Sequence, residues 1–356
     1  MLFTLLFLLN LFFIDGFNFY SQFNNLKIFY EPLKISVRNW FIERSQKKGI
    51  DWNKYKKHYK EYEDELLMIE DLTSNKFIYY PTYYKKKFHG YDNGNLNWEA
   101  AYEAIPATYS ISSNYWKDID PIKSHNWVRG NYSENIKKYY NSTNKNYNNL
   151  ECLDIGCSVG IGTEFLYKNM PNIKLVGLDL SPFFISLAKF RSKRKKLPIN
   201  YIHSNAEFMP FKKESYDLIT AQFMFHEIPN KYTKNILKES FRVLKNDSVI
   251  AIIDFDIEKL NNNTIINFIR RKIFEITEPH IKEYCNTNMT QLLYETGFVN
   301  VRKYSNKDPF NSVWIAHKED PKLQKYIKDK LNEQNILINL KKNKDKNIEA
   351  DYIIDI

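Results

Sequence analysis

The sequence predicts an α/β fold in which a mostly parallel sheet is covered by helices on both faces. From Leu150 onward, short apolar runs alternate with helical patterns at short loop lengths, as strands joined by crossover helices do. Two closing runs with no helix between them predict an antiparallel hairpin at the sheet edge. The predicted strands are 151–154, 174–179, 200–203, 218–221, 249–254, 299–304 and 313–316, and the predicted helices are 161–168, 183–193, 231–244 and 289–296.

The composition favours a globular chain without a disulfide framework. Its 356 residues are 43% hydrophobic, which is enough for a substantial core. The formal net charge of +10 comes from lysines scattered among asparagines, so it does not predict a nucleic-acid partner. A basic face for an anionic substrate, a membrane surface or RNA stays an alternative. Cys152, Cys157 and Cys285 have neither disulfide nor metal-ligand spacing, and we predict no metal site.

Residues 1–48 have the pattern of a targeting leader. Positions 2–14 are almost all apolar, short for a membrane span and typical of a signal peptide, and residues 17–48 are basic like a transit segment. This two-part pattern resembles the leader of proteins sent by the secretory route to an apicoplast-type plastid. Because the run lacks a preceding cation and a small-residue cleavage site, a location in the endoplasmic reticulum, or anchoring by an uncleaved leader, stays the alternative.

Three further regions follow this leader. Residues 49–149 are rich in Tyr and Trp without a clean periodicity, and we predict a cap built before the main domain. Residues 150–318 hold the alternating strands and helices. Residues 319–356 are charged and rich in Lys and Asn, which predicts one exposed helix and a frayed end.

The chemistry is predicted at the ends of the first two strands. The first strand ends at Asp154 and turns through Gly156 and Gly160 into a helix, where a ligand can approach the backbone and meet unpaired N–H groups. The second strand ends at Asp179, which places a carboxylate where it can accept hydrogen bonds from both hydroxyls of a ribose. Together these features predict a nucleoside site.

Two other kinds of site share this strand, turn and helix. A dinucleotide site needs a second glycine where Ser158 stands, which argues against a dehydrogenase. Residues 156–160 also satisfy Gly-x-Ser-x-Gly, the nucleophile elbow of α/β hydrolases. An elbow follows several strands and an upstream oxyanion loop, whereas this strand opens the alternating region. The order of elements therefore favours the nucleoside site.

Six segments carry a resemblance to a known family. They are Leu-Asp-Ile-Gly-Cys-Ser-Val-Gly (153–160), Val-Gly-Leu-Asp-Leu-Ser-Pro (176–182), Ser-Asn-Ala-Glu-Phe-Met-Pro-Phe (204–211), Ser-Tyr-Asp-Leu-Ile (215–219), Phe-His-Glu-Ile-Pro (225–229) and Glu-Ser-Phe-Arg-Val-Leu-Lys (239–245). In order and spacing, residues 88–317 resemble the ubiquinone/menaquinone-biosynthesis-like (type 11) methyltransferases of class I, which use S-adenosyl-L-methionine on a Rossmann-like sheet of seven strands. They are most similar to a plastid and cyanobacterial branch, which shares the His-Glu pair and a Glu-Pro segment, here 278–279.

The resemblance implies a set of cofactor-binding residues. They are Asp154, Gly156, Cys157, Ser158, Gly160, Asp179, Leu180, Asn205, Ala206, Gln222 and Phe223. Residues 154–160 would surround the methionine part and the sulfonium, Asp179 would bind the ribose, Leu180 and residues 205–206 would meet the adenine, and residues 222–223 would close the pocket. Asn205 stands where related enzymes commonly carry Asp, and its amide can still accept a hydrogen bond.

Methyl transfer from a sulfonium is a direct displacement, so positioning of the acceptor supplies most of the rate and a base is optional. If the acceptor is a hydroxyl or an acidic carbon, His226 and Glu227 are the predicted proton acceptors, with Glu278 and His280 as alternates. A structural role for His226 stays open. The superfamily favours a small, lipid-like or quinone-type acceptor without an obligate partner. A protein or RNA methyltransferase, and a cofactor-binding accessory protein without turnover, are the alternatives.

Overall fold

A computed structural model of the chain describes residues 27–86, 91, 93–116, 118–170, 172–260 and 278–322. The apolar run at 2–14, residues 88–90 of the aromatic region and the tail from residue 323 lie outside the described residues. None of the described helices combines the length and the hydropathy that a membrane span requires.

Seven strands form one sheet that holds all seven predicted runs. They are β1 (Glu151–Ile155), β2 (Lys174–Asp179), β3 (Asn200–His203), β4 (Tyr216–Gln222), β5 (Leu244–Phe255), β6 (Val299–Ser305) and β7 (Asn311–Lys318). Their order in the sheet is β3-β2-β1-β4-β5-β7-β6. The first five strands are parallel, and β7 pairs antiparallel with both β5 and β6. The predicted parallel sheet and its antiparallel edge hairpin are confirmed.

The described helices cover both faces of this sheet and build the cap. They are α1 (Lys27–Gln46), α2 (Trp52–Lys60), α3 (Glu63–Thr73), α4 (Trp98–Ser112), α5 (Pro121–Ser142), α6 (Ile161–Asn169), α7 (Pro182–Arg194), α8 (Asn230–Val243), α9 (Ile257–Leu260), α10 (Ile281–Cys285) and α11 (Met289–Thr296). The start of α4 is capped as its sequence indicates, since the Asn97 side chain accepts a hydrogen bond from the Ala100 N–H. Strand β5 begins earlier than predicted, because polar residues 245–247 continue the strand at its start.

Helix α5 differs most from the sequence prediction, which placed residues 121–142 in a cap without clean periodicity. Val128, Tyr132 and Ile136 recur every four residues and are buried against the sheet in one apolar cluster. The Tyr132 hydroxyl donates a hydrogen bond to the carbonyl of Ala251 on β5, at 2.8 Å. This helix is therefore one of the sheet's own covering layers, although it precedes the first strand.

The end of the predicted leader also belongs to the packed structure. Arg38 on α1 forms an ion pair with Glu103, which is buried on α4, and Lys48 donates to the carbonyl of Ser113. The rings of Phe41 and Trp52 meet edge to face. The expectation that all of residues 1–48 lie outside the fold therefore does not hold for residues 38–48. Charge alone suggested a transit segment, but these cations have acceptors in the cap.

Candidate active site

The predicted site residues lie together at the carboxyl ends of neighbouring strands. β1 pairs with β2 on one side and with β4 on the other, so the ends that carry Asp154, Asp179 and Gln222 are adjacent. In open α/β sheets this edge is where ligands bind, beside the point at which the strand order reverses. Here the reversal falls between β1 and β4.

Asp154 is buried, and its oxygens are occupied by protein donors. It accepts hydrogen bonds from the Thr163 hydroxyl at 2.6 Å, the Thr220 hydroxyl at 2.7 Å and the Gln222 amide at 3.1 Å. Burial raises the pKa of this carboxyl, and the three donors oppose the rise. Asp154 therefore ties the start of α6 to strand β4, which fixes the shape of the glycine turn between them.

Arg129 supports this network from α5 and was not found from the sequence. Its guanidinium donates to the Gln222 side-chain oxygen at 2.6 Å and lies 4.7 Å from the centroid of the Phe223 ring. Burial lowers the pKa of Arg129 to about 10, so it stays a cation at neutral pH. The residue comes 93 positions before Gln222 in the chain, and no local pattern marks it.

Two positions of the turn require glycine, because of their backbone angles and because other side chains pack against them. Gly156 has φ +64° and Gly160 has φ +78°, a region that disfavours side chains. A Cβ at Gly156 would meet the Met224 sulfur at 2.5 Å, and one at Gly160 would meet the Tyr201 hydroxyl at the same distance. Between them, Cys157 is buried, and burial raises the pKa of its thiol, which keeps it neutral.

Asp179 joins the turn to the next helix. One of its oxygens accepts the backbone N–H of Ser158 at 2.8 Å, and the other accepts the N–H of Ser181 at 2.8 Å. Burial raises the pKa of Asp179 to about 6, against the opposing effect of these N–H donors and of a hydrogen bond from Tyr84. These donors use most of the lone pairs of the carboxylate, so a ribose hydroxyl would share it with them or replace the Tyr84 hydroxyl.

The three residues predicted around an adenine lie beside this carboxylate. Leu180, Asn205 and Ala206 are all buried. The Leu180 carbonyl accepts from His203 Nε2 at 3.0 Å, and the Asn205 side-chain oxygen accepts from the N–H of Glu207 at 2.8 Å. Asn205 therefore holds its own turn, and its amide supplies the acceptor that the commoner Asp would supply.

His226 lies beyond β4 and is held by a carboxylate that the sequence analysis did not identify. Its Nδ1 is 2.8 Å from an oxygen of Asp254, which is fully buried on β5 and also accepts the N–H of Phe225 and of His226 itself. Burial lowers the pKa of His226, but Asp254, followed by Glu227 and Glu278, raises it to about 9 overall. At neutral pH the ring is thus an imidazolium. It lacks the lone pair that the predicted proton acceptor needs.

Glu227 and the segment at 278–280 complete this side of the site. A Glu227 oxygen lies 4.0 Å from His226 Nε2, and its side chain is partly exposed. Glu278 and His280 are buried, and burial lowers the pKa of His280. Glu278 is close enough to His226 for its charge to raise the pKa of that ring, whereas His280 packs against the ring of Tyr83.

A tyrosine cluster from the cap lies over the same edge, and the sequence analysis did not identify it. The Tyr80 hydroxyl is 3.2 Å from His203 Nε2, and the Tyr83 ring packs 4.4 Å from the ring of Tyr232. Tyr84 is stacked with Tyr80, hydrogen-bonds to Asp179 and is close enough to Glu227 for its charge to act on the phenol. The only sequence signal for the cluster was the density of aromatic residues at 79–84. Among the described residues, no group of His, Cys, Asp and Glu side chains could hold a metal ion.

The strand order, the glycine turn and the carboxylate that ends β2 give this domain the Rossmann-like fold of class I methyltransferases. Residues 152–247 match the family model described as "Methyltransferase domain". The residues present fit the cofactor of this class, because the two left-handed glycines put no side chain at their positions in the turn, beside an acceptor for ribose hydroxyls.

Several named proteins are similar to part of the chain. Demethylmenaquinone methyltransferase of Lactococcus lactis subsp. lactis (strain IL1403) is 33% identical over 149 residues, which are 41% of this chain and 55% of that protein. Ubiquinone biosynthesis O-methyltransferase of Pelagibacter ubique (strain HTCC1062) is 29% identical over 148 residues, 40% of this chain and 60% of that protein. The chain thus spans little more than half the length of these relatives.

Solved structures include similar folds. Phosphoethanolamine N-methyltransferase 2 of Haemonchus contortus, in complex with S-adenosyl-L-methionine, aligns with a TM-score of 0.42 at 14% identity over 53% of each chain. A SAM-dependent methyltransferase from Aquifex aeolicus aligns with a TM-score of 0.40 at 19% identity, over 52% of this chain and 89% of that one.

Proposed function

We propose that this protein transfers a methyl group from S-adenosyl-L-methionine to a small, quinone-type or otherwise lipid-like acceptor. The observation that carries the proposal is Asp179. Its two oxygens are fixed by the N–H groups of Ser158 and Ser181 at the end of β2, one strand from the switch point of the sheet and beside a turn with two left-handed glycines. A carboxylate held in this way is oriented before a ribose arrives, which lowers the ordering cost of binding.

The roles of the cofactor residues follow from these contacts. When bound, the cofactor supplies an electrophilic methyl group on a sulfonium. Residues 156–160 would hold its methionine part, while Asp154 and Gln222 keep the turn in shape from below. Asp179 would accept from the ribose, and Leu180, Asn205 and Ala206 would surround the adenine. Phe223, fixed by the Arg129 guanidinium above its ring, would close the pocket on the side of β4.

The acid–base chemistry is divided between His226 and Glu227. As an imidazolium whose Nδ1 is bound to Asp254, His226 can donate a hydrogen bond through Nε2 to an oxygen of the acceptor. It would thereby orient a hydroxyl or stabilise an enolate as the proton leaves. Glu227, 4.0 Å from that nitrogen, is then the candidate proton acceptor.

The acceptor class rests on named relatives. Two of them are named for menaquinone and ubiquinone biosynthesis, and a ubiquinone/menaquinone biosynthesis C-methyltransferase of Wigglesworthia glossinidia brevipalpis is 28% identical over 200 residues, 55% of this chain and 70% of that protein. The His-Glu pair and the Glu-Pro segment favour the plastid and cyanobacterial branch of these enzymes.

Calorimetric titration of the full chain tests the proposal. We expect S-adenosylmethionine to bind with a micromolar Kd, on the order expected for a natural cofactor site, and NAD not to bind. Methylated metabolites and lipids are then compared between cells with and without the protein. We expect the cells without it to lack one methylated small molecule that contains a ring. Binding of NAD instead would overturn the assignment, and loss of a methyl mark on protein or RNA would overturn the acceptor class.

We also propose that the leader sends the protein by the secretory route to an apicoplast-type plastid. The support is the apolar run at 2–14 followed by basic residues. A fluorescent reporter fused after residue 60 should enter the secretory route and, in a cell with such a plastid, reach that organelle. A reporter that stays in the cytosol would refute the targeting proposal and leave the enzymatic one unaffected.

A further inference from the structure

The tyrosine segment, residues 79–86 of the cap, lies against the carboxyl end of β3. It consists of turns and contains neither helix nor strand. His203, the last residue of β3, holds the segment and the turn before it, since its Nδ1 accepts the N–H of Asn75 at 2.9 Å and its Nε2 is 3.2 Å from the Tyr80 hydroxyl. The same Nε2 lies 3.0 Å from the carbonyl of Leu180. The segment is therefore fixed beside Leu180, which the proposed function places against the adenine.

Tyr84 brings this segment into contact with the carboxylate that ends β2. Its hydroxyl donates a hydrogen bond to Asp179, and its ring is stacked with that of Tyr80, 6.4 Å between centroids. Burial raises the pKa of the phenol, and the charges of Asp179 and Glu227 raise it further, so the hydroxyl keeps its proton and acts as a donor. Because Asp179 ends β2 and Glu227 follows β4, with β1 between these strands, the phenol lies on the side of Asp179 that faces the glycine turn.

The donors that bind Asp179 differ in how easily a ligand can replace them. A carboxylate offers about four acceptor positions, and three of its donors here are the backbone N–H groups of Ser158, Leu180 and Ser181. The N–H of Ser158 belongs to the glycine turn, and Ser181 caps the start of α7. Neither group can leave without undoing the turn or the helix start. The Tyr84 hydroxyl is a side-chain donor on a segment of turns, so it is the donor that a ribose hydroxyl can displace.

The contact also stabilises Asp179 in the protein without cofactor. A buried carboxylate with an unused acceptor position costs free energy, which a donor from the cap or from a ligand removes. Tyr84 supplies that donor before the cofactor arrives, and a ribose hydroxyl supplies it afterwards. The two donors compete for one position, so each cofactor molecule that binds has to break the contact between Tyr84 and Asp179.

We infer that the Tyr84 hydroxyl is a stand-in for a ribose hydroxyl of the cofactor, and that the tyrosine segment is a lid that the cofactor displaces from Asp179 as it binds. The inference rests on the proposed function and adds a regulation of the same site. Because the ribose replaces an existing hydrogen bond of Asp179, the wild type binds its cofactor less tightly than the site allows. Removing the Tyr84 hydroxyl should therefore strengthen binding, which is the opposite of what the loss of a cofactor-binding group does.

Calorimetric titration of the full chain with S-adenosylhomocysteine, the unreactive product of the cofactor, tests the inference. The titrations are made at pH 8, where Asp179, with its pKa of about 6, is ionised. We expect Tyr84→Phe to bind this ligand roughly threefold to tenfold more tightly than the wild type, as the release of one competing hydrogen bond predicts. Tyr79→Phe is the matched control, because it removes a hydroxyl from the same segment at a side chain that is 72% exposed, and its affinity should be unchanged.

The Asp179→Ala background separates loss of the hydrogen bond from a general loosening of the segment. In that background the phenol has no carboxylate to compete for, so adding Tyr84→Phe should leave the affinity within about twofold. Equal or weaker binding by Tyr84→Phe than by the wild type would overturn the inference, as would the same gain in both backgrounds. Where Asp179→Ala binds too weakly to titrate, the single Tyr84→Phe variant decides.

The outcomes separate this inference from the proposed function. Thermal melting shows whether Tyr84→Phe folds. If it does not, Tyr80→Phe decides in its place, because it removes the hydroxyl contact of the segment with His203 and should also tighten binding, by about twofold or more. A wild type that does not bind S-adenosylhomocysteine would overturn the proposed function. If the wild type binds it and the deciding variant binds it no more tightly, the inference fails and the proposed function stands.

Discussion

The pair of His226 and Asp254 predicts a specific dependence of stability on pH. The pKa of His226 is raised from 6.5 to about 9 by its buried carboxylate partner. Since each pH unit between the folded and unfolded pKa corresponds to about 1.4 kcal/mol, the pair contributes on the order of 3 kcal/mol to the free energy of unfolding. The raised pKa belongs to the folded state, so this contribution is fully present below pH 6.5 and is lost as the pH rises through 9.

Replacing Asp254 by Asn removes the charge that raises this pKa. The variant keeps one side-chain carbonyl for the N–H groups that Asp254 now holds, but it leaves His226 buried with a neutral neighbour. We expect a loss of about 3–5 kcal/mol at pH 6, as for other broken buried pairs, and a much flatter pH profile. At pH 9.5 the free energies of unfolding of the variant and the wild type should differ far less.

Urea unfolding at pH 6, 7.5 and 9.5 measures both profiles, and their difference cancels groups that titrate alike in the two proteins. His226→Gln is the matched control, since it removes the titrating ring and keeps Asp254. It should show the same flat profile between pH 6.5 and 9. If the wild type and Asp254→Asn lose the same free energy over that interval, the pair does not hold His226 as a cation, and the assignment of Glu227 as the base loses its support.

Three further predictions concern the cofactor turn and the end of the leader. Asp179→Ala should weaken S-adenosylmethionine binding by roughly 1–3 kcal/mol in calorimetry. The affinity of the wild type for this cofactor should fall below pH 6, because the Asp179 carboxyl gains a proton there. Equal wild-type affinity at pH 5 and pH 7.5 would contradict the role of Asp179 in binding the ribose. Ser158→Ala should keep substantial methyl transfer, and a fluorophosphonate probe should not label the wild type, whereas labelling abolished by the substitution would favour a hydrolase. Arg38→Met should lower the free energy of unfolding by about 1–2 kcal/mol, because the buried Glu103 loses the nearer of its two cations and keeps only Lys56 at 4.0 Å. An unchanged urea midpoint would indicate that residues 38–48 belong to the leader and not to the packed structure.

Local sequence patterns were sufficient to predict the strands of the sheet and the glycine turn after β1. The apolar runs, the glycines and the carboxylate that ends β2 lie within short windows, and their chemistry can be inferred from residue type and spacing. The protonation state of His226 could not be predicted in this way. Its protonation depends on Asp254, which belongs to a neighbouring strand, and sheet pairing brings the two together only after folding.

The supporting residues from the cap could not be predicted in the same way. Arg129 and Tyr84 act on Gln222 and Asp179 from positions far upstream, and nothing in their own neighbourhoods distinguishes them from surface residues. For α5, the apolar residues at every fourth position did predict a helix with one buried face. They did not show that this face packs on the sheet, because the sheet is formed by residues that follow the helix in the chain. Contacts between segments distant in sequence were the missing information throughout.

The position of α5 has a consequence for how this protein can be divided. The family match begins at residue 152, after the helix that carries Arg129 and Tyr132 has ended. A polypeptide cut at that boundary would expose the apolar face of the sheet that this helix covers, and Gln222 would lose its guanidinium partner. The stretch that matches the family model and the smallest unit able to fold are thus different parts of the chain, and the candidate site depends on residues that precede that match.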